Sequence, residues 1–216
     1  MPRRAMIIVG GGASTRFGSD KLRTMVAGRP LLRHAYESVA GHVDAVVVVA
    51  SHQSLSHVME MHLDAVLTTG GETRTHSEWA GLQALDEGYD LIGIHDAARP
   101  MVAAVLVERL FETAWETGGA APLIASTGLV VARGDLEPLP SVSRAQTPQV
   151  FRGPELKAAY RLAIAAGFVG HDTVDVVQRY GELTVAGVPG DVTNVKVTYP
   201  EDVEMVRGHL EGRPRI

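Results

Sequence analysis

An apolar run that stops abruptly in glycines, Ala5-Met6-Ile7-Ile8-Val9 followed by Gly10-Gly11-Gly12, is the feature that most narrows what this chain can fold into. A run of this length with no polar alternation suits a strand covered on both faces, as in a parallel sheet. The glycines permit positive φ and let another group approach the backbone, as a loop must if its N–H groups are to wrap an anion. Arg16 and Lys21 add cationic side chains to the same loop. The stretch from Val9 to Lys21 therefore reads as a phosphate-binding turn at the carboxyl end of a central strand.

The rest of the chain repeats the alternation that such a strand needs. Residues 31–39 read as a helix opening after Pro30, 45–50 as a second buried strand, 54–62 as a helix, and 65–67 as a short third strand ending at Thr68-Thr69-Gly70-Gly71. A helix over 75–87, with Glu87-Gly88 as its stop, leads to a fourth strand over 91–95. A helix over 102–115 precedes a fifth extended piece at 120–124. Residues 125–148 break the rhythm: short extended segments at 129–131 and 138–142 flank Arg133-Gly134-Asp135 and read as a hairpin arm. Helices over 153–166 and 172–180, a strand over 183–186 and a last helix over 200–210 complete the chain. Strands alternating with helices imply one α/β domain, a mostly parallel sheet with helices on both faces.

Composition removes several classes of function. The 216 residues, 45% of them hydrophobic, suffice for one sizeable domain. A net charge of −5 argues against nucleic-acid binding through a basic surface. The absence of cysteine excludes disulfides and thiolate metal sites and fits a cytoplasmic location. Pro2-Arg3-Arg4 before the first apolar run loosely imitates a signal peptide, but that run is too short for one, and no run is long enough for a membrane span. His52, His57 and His62 are five apart, which does not put two on one helix face, so no histidine metal set is expected.

In an open parallel sheet, ligands bind beyond the carboxyl ends of the strands. Three polar clusters fall there: the glycine loop, Gly70-Gly71-Glu72-Thr73-Arg74, and His95-Asp96-Ala97-Ala98-Arg99. Each alone reads as a solvated turn; together they mark a site. A dinucleotide fingerprint fails because Thr15 stands where the third glycine belongs and the second strand ends in Ala50-Ser51 without an acid. A Walker loop fails because Gly18-Ser19-Asp20-Lys21 replaces Gly-Lys-Ser/Thr, and no G-x-S-x-G is present for a serine hydrolase.

The glycine loop does match the GG-x-(small)-x-R-F/M-G-x-x-K pattern of sugar and polyol nucleotidyltransferases. With GG-E-x-R-x-x-S at 70–77, His-Asp-Ala-Ala-Arg-Pro at 95–100, Gln-Thr-Pro-Gln-Val-Phe at 146–151 and Asn194-Val195-Lys196-Val197-Thr198, the chain resembles the 2-C-methyl-D-erythritol 4-phosphate cytidylyltransferases nearly end to end, with the ribitol 5-phosphate cytidylyltransferases as close relatives. The resemblance implies a Rossmann-like fold of the nucleotide-diphospho-sugar transferase type, a single domain over 1–216 with residues 125–148 as a dimerisation arm, and a homodimer. It implies attack by a polyol phosphate oxygen on the α-phosphorus of CTP, with Mg²⁺ as cofactor. Gly11, Gly12 and Ala13 would lie against the nucleotide, and Arg16 and Lys21 would stabilise the triphosphate and the transition state. Gly71, Glu72, Arg74, Ser77 and Ala97 would line the nucleotide pocket, Arg74 also bracing the loop. Asp96 would place Mg²⁺ or the polyol hydroxyls, or cap the helix at 102, and Lys196 would reach the α-phosphate. Arg99, Ser126, Thr127, Thr147, Arg152 and Asp172 would serve the acceptor.

The acceptor half departs from the family pattern. Ala125-Ser126-Thr127-Gly128 stands where an Asp-Thr pair, an aliphatic residue and Lys are usual; Gly153 replaces a basic residue, leaving Arg152 nearest; and His171-Asp172-Thr173-Val174 replaces Thr-Asp-Asp/Glu-Ala. The expectation is a cytidylyltransferase for methylerythritol phosphate, with ribitol 5-phosphate or another polyol phosphate as the alternative acceptor. A non-catalytic nucleotide-binding relative is the alternative of another class, and an NAD-dependent oxidoreductase the more distant one.

Overall fold

Runs of Val, Ile and Ala without polar alternation need apolar cover on both sides, and the chain supplies it. The computed structural model describes residues 1–10, 21–126, 130–133, 135–138 and 142–212. In order the elements are β1 (Arg4–Val9), β2 (Met25–Val26), β3 (Arg29–Pro30), α1 (Leu31–Ala40), β4 (Ala45–Ala50), α2 (Leu55–Glu60), β5 (Val66–Thr69), α3 (Arg74–Ala84), β6 (Leu91–Asp96) and α4 (Ala104–Thr117). They continue with β7 (Gly118–Ser126), β8 (Val130–Arg133), β9 (Asp135–Pro138), β10 (Val142–Ala145), β11 (Gln149–Arg152), α5 (Gly153–Ala165), α6 (Thr173–Tyr180), β12 (Thr184–Pro189) and α7 (Glu201–Leu210). The architecture is α/β with a mostly parallel sheet, as expected from the alternation.

β5, β4, β1 and β6 lie side by side and parallel. β11 enters antiparallel between β6 and β7, and β10 runs antiparallel to the second half of β7, whose other edge takes β12 in parallel. Alternate residues of each central strand feed different cores. Met6, Ile8, Val46 and Val48 pack with Leu32, Val39, Leu110 and Phe111. Ala5, Ile7, Val47 and Val49 pack with Leu82, Leu156, Tyr160 and Val177. α1, α2 and α4 therefore cover one face and α3, α5 and α6 the other. A smaller cluster of Val26, Leu31, Val197, Val203 and Val206 seats α7 beside β2. No helix among the described residues is long and apolar enough to cross a membrane.

Several boundaries differ from the sequence expectation. α3 starts at Arg74 and ends at Ala84, three residues before the expected stop, because Leu85 turns extended at φ −82, ψ 133. α4 begins at Ala104 rather than 102, so Asp96 does not cap it; the cap is Ala103, with no side-chain bond. In the arm, β8 pairs with β9, and β10 leaves the hairpin to join the main sheet. β11 was not expected at all, because four residues inside a polar motif give too short a pattern to read. The β2–β3 ribbon was also unforeseen; its turn places Ala27 and Gly28 at φ 45 and 78, both left-handed as a tight hairpin requires.

α3 approaches the sheet closely at one point. A Cβ on Gly81 would stand 2.4 Å from Ile7 Cγ2 and 2.9 Å from Val49 Cγ2, atoms fixed near their own backbones. That contact sets the height of α3 and with it the position of Arg74 over the strand ends. Gly81→Val is expected to lower the unfolding free energy by about 1–3 kcal/mol through overpacking, measured by denaturant titration. An unchanged midpoint would mean that α3 can lift away without loss.

Candidate functional site

The carboxyl ends of β1 and β6 lie side by side, Val9 opposite Asp96, and three cationic side chains gather at the end of β6. Asp96 is 5% exposed. A buried carboxylate needs charged or hydrogen-bonding partners to offset desolvation, and it has three cations. Arg74, at the first turn of α3, places NH1 2.6 Å from Oδ1; Lys196 Nζ stands 2.8 Å from Oδ2, and Arg99 Nε 3.5 Å from the same oxygen. Burial pushes the Asp96 pKa up, but Arg74, Lys196 and Arg99 outweigh it and hold the carboxyl far below the usual range. For Arg74, burial works against the charge while Asp96 and Glu78 raise its pKa beyond the ordinary arginine value.

The backbone around this cluster is held by polar side chains that are themselves buried. The Thr147 hydroxyl accepts the Asp96 N–H at 2.9 Å. Asn194 Nδ2 donates to Thr147 O at 2.8 Å, while Asn194 O accepts from Arg99 NH1 at 2.7 Å and from Gln146 Nε2 at 3.0 Å. Val197 N donates to Ala98 O. These bonds tie the segment carrying Lys196 to the turn carrying Arg99. Lys196, Arg99 and Arg144 then line a cleft of about 390 Å³ with Ile124, Gln146 and Met205.

The expected residues that the structure describes fall as follows. Asp96, Lys196, Arg74 and Arg99 meet directly. Thr147 lies in the same cluster as a backbone support. Ser77, 2% exposed, donates to Thr73 O at 2.9 Å and to Gly71 O at 3.3 Å, so it shapes the loop before α3. Gly71 packs so tightly that a Cβ would stand 2.5 Å from His76 Cβ; Glu72 is exposed, and buried Ala97 donates its N–H to Val9 O. Lys21 opens a short 3-10 turn over Lys21–Arg23 whose Leu22 is buried beneath Gly10. Ser126 ends β7, half-buried opposite Val142. Gly11, Gly12, Ala13, Arg16 and Thr127 lie outside the described residues.

Two expectations are corrected. Arg152 pairs with Leu91 at the amino end of β6 and donates to Trp115 O, so it sits at the opposite end of the sheet from Asp96. β11 being antiparallel is the reason: residues after Gln149 run away from the site. Asp172 caps α6, Oδ1 accepting from Asp175 N and Oδ2 from Gln149 Nε2, and both oxygens are spent on the fold. Both oxygens of Asp96, the expected metal ligand, are paired here with Arg74, Lys196 and Arg99. Among the described residues, no group of three His, Cys, Asp or Glu side chains could hold a metal ion. The sequence reading missed Arg144 and Glu78; the first was legible only as a cation three residues before Thr147, the second as an acid four residues after Arg74.

Beside the cluster, His95 is fully buried, with Nδ1 3.2 Å from the Thr147 hydroxyl and Nε2 3.0 Å from Arg99 O. The carbonyl can only accept, so Nε2 carries the proton of a neutral ring. Burial holds the His95 pKa down to about 4 from 6.5. The unfolded chain therefore binds more protons between these values, and stability must fall as pH is lowered through that window, by up to about 3 kcal/mol. His95→Gln should flatten this part of the stability profile, as measured by denaturant titrations between pH 7 and 4. An equal slope in the variant would place the loss elsewhere.

Comparison with known proteins gives the family and the fold. A family model described as IspD, 2-C-methyl-D-erythritol 4-phosphate cytidylyltransferase, matches residues 5–211. A bifunctional enzyme IspD/IspF from Rhodopseudomonas palustris is 38% identical over 218 residues, covering 93% of this chain and 54% of that protein, so the chain spans about half the length of such relatives. A 2-C-methyl-D-erythritol 4-phosphate cytidylyltransferase from Porphyromonas gingivalis is 32% identical, covering 95% of this chain and 96% of its own. The crystal structure of the Thermus thermophilus cytidylyltransferase superposes with a TM-score of 0.81 at 28% identity, over 98% of this chain and 100% of that one. The Anaerococcus prevotii 4-diphosphocytidyl-2C-methyl-D-erythritol synthase shares the fold, with a TM-score of 0.85 at 22% identity over 97% of this chain and 99% of that one.

Proposed function

Because the chain belongs to the 2-C-methyl-D-erythritol 4-phosphate cytidylyltransferase family, whose model spans residues 5–211, we propose that it joins CTP to 2-C-methyl-D-erythritol 4-phosphate and releases pyrophosphate. The observation that carries the reading is the convergence of Arg74, Arg99 and Lys196 on Asp96 beside a cleft that Arg144 also lines.

The chemistry suits a site built of cations. The nucleophile is an oxygen of the acceptor's phosphate, already ionised at neutral pH, so no base is required. Its bond to the α-phosphorus forms as the bond to the bridging oxygen breaks, and pyrophosphate leaves with that electron pair. Charge develops on phosphoryl oxygens, where fixed positive groups lower the barrier. In this proposal Lys196 serves the α-phosphate, Arg16 and Lys21 the triphosphate, and Gly11, Gly12, Ala13, Gly71, Glu72 and Ser77 the walls of the nucleotide pocket. Arg99 and Arg144 face the acceptor's phosphate. Mg²⁺ would accompany CTP, with Asp96 as the carboxylate that would help place it, and would neutralise charge on the phosphates. The proposal further includes one domain over 1–216, a homodimer paired through the 125–148 arm, and a cytoplasmic location, with neither nucleic acid nor membrane as a partner.

Pyrophosphate release from CTP and Mg²⁺, measured across a panel of polyol phosphates, tests this. The wild type should turn over with methylerythritol phosphate. Lys196→Ala should lower kcat by about a hundredfold, and Arg144→Gln should raise the acceptor's KM by about tenfold with the KM for CTP little changed. Release with ribitol 5-phosphate alone would move the assignment to that acceptor. CTP binding without release for any acceptor would sink the enzymatic reading.

A further inference from the structure

The polar chain does not stop at Arg74. Glu78 lies one turn further along α3, is 1% exposed, and holds Oε1 2.8 Å from Arg74 Nε. Its Oε2 accepts from the Tyr160 hydroxyl on α5, and Oε1 accepts from Thr173 Oγ1 on α6 at 3.1 Å. Tyr160 and Thr173 are both fully buried. All three partners are donors, so the pocket is fitted to a carboxylate. Burial pushes its pKa up; Arg74 and the two hydroxyls oppose that.

A buried carboxylate is an expensive way to hold helices together, since hydrophobic groups of like size often do as well. α3, α5 and α6 already share Leu82, Leu85, Leu156, Val176 and Val177 in one apolar cluster. What an apolar residue at 78 could not supply is a second negative charge against Arg74, whose Nε lies 2.8 Å from Oε1 as an ion pair without hydrogen-bond geometry. Arg74 presents a fork that pairs readily with both oxygens of one carboxylate. Here Nε faces Glu78 and NH1 alone reaches Asp96 Oδ1, while Lys196 has Oδ2 at 2.8 Å. Without Glu78 the guanidinium is free to rotate its Nε edge onto Asp96 and compete with Lys196 for Oδ2.

We propose that Glu78 is a positioning residue for nucleotidyl transfer: through its charge beside the Nε edge of Arg74 it keeps that guanidinium single-pronged on Asp96, and so keeps Asp96 Oδ2 turned to Lys196. The inference rests on the cytidylyl-transfer reading for its kinetic consequence, though not for its structural one. Displacing a reacting group by about 1 Å can cost up to a hundredfold in rate.

The test compares Glu78→Gln with Tyr160→Phe in the full chain. Glu78→Gln should lower kcat by about ten to a hundredfold with the KM for CTP within about twofold. Tyr160→Phe leaves Arg74 and Thr173 on Glu78, so it should lower the thermal midpoint yet hold kcat within about twofold of wild type. Differential amine labelling, read at Lys196 by peptide mapping, adds a measurement that needs no turnover: the labelling rate should change in Glu78→Gln and not in Tyr160→Phe. Wild-type kcat and labelling in Glu78→Gln, or equal kinetic losses in both variants, would overturn the positioning role and leave Glu78 as a packing group. Should Glu78→Gln not fold, Glu78→Asp keeps the charge and shortens the reach; a lowered kcat and altered Lys196 labelling support the proposal, and wild-type values overturn it. An inactive wild type would refute cytidylyl transfer alone, with the labelling comparison still deciding the role of Glu78.

Discussion

The carboxylate of Asp96 is the constraint on which the rest of the site depends. It sits where β6 ends, 5% exposed, and can stay ionised there only because Arg74, Arg99 and Lys196 surround it. Those three come from α3, from the turn after β6 and from the segment before α7, so one charge ties together parts of the chain far apart in sequence. The dependence runs both ways. Three cations so close would repel one another, and Asp96 is what lets them share a small volume before any anionic ligand arrives.

The sheet order explains why the convergence happens at this place. From β1 the chain moves outward through β4 to β5, then returns to lay β6 on the other side of β1. The strand order therefore reverses between β1 and β6, whose carboxyl ends lie side by side, the usual ligand position in an open α/β sheet. β11 contributes from the other direction. Because it runs antiparallel, its amino end points toward those carboxyl ends and delivers Gln146 and Thr147 there, while Arg152 is carried to the far end.

The central strands and the two helical layers were legible because burial on both faces leaves an unbroken apolar run, as in Ala5–Val9 and 45–50. His95-Asp96-Ala97-Ala98-Arg99 and Lys196 were legible because whole motifs carried them. What failed has common causes. Arg152 and Asp172 were assigned by nearness in sequence to motif residues, but strand direction removed the first and a helix cap claimed the second. At Asp96, a lone acid in a polar turn carries no sign of the cations that fold onto it from elsewhere. Glu78 was passed over since a charged residue within a helix ordinarily faces water, and nothing local says that Tyr160 and Thr173 will enclose it.

The cluster is also graded in a way that suits ligand exchange. Of the side chains around Asp96, Arg99 is 11% exposed, Arg74 24% and Lys196 37%. Arg99 is further fixed by its bond to Asn194 O, and Arg74 by Glu78. Lys196 carries a flexible stem with a compact charge, whereas the two guanidiniums are planar forks, each hydrogen-bonded through NH1. An incoming phosphate can therefore draw Lys196 away from Asp96 at the least loss, since Asp96 keeps two partners and is not left buried and unpaired. Of the three cations, Lys196 is thus the one whose departure leaves the carboxylate still paired with two guanidiniums.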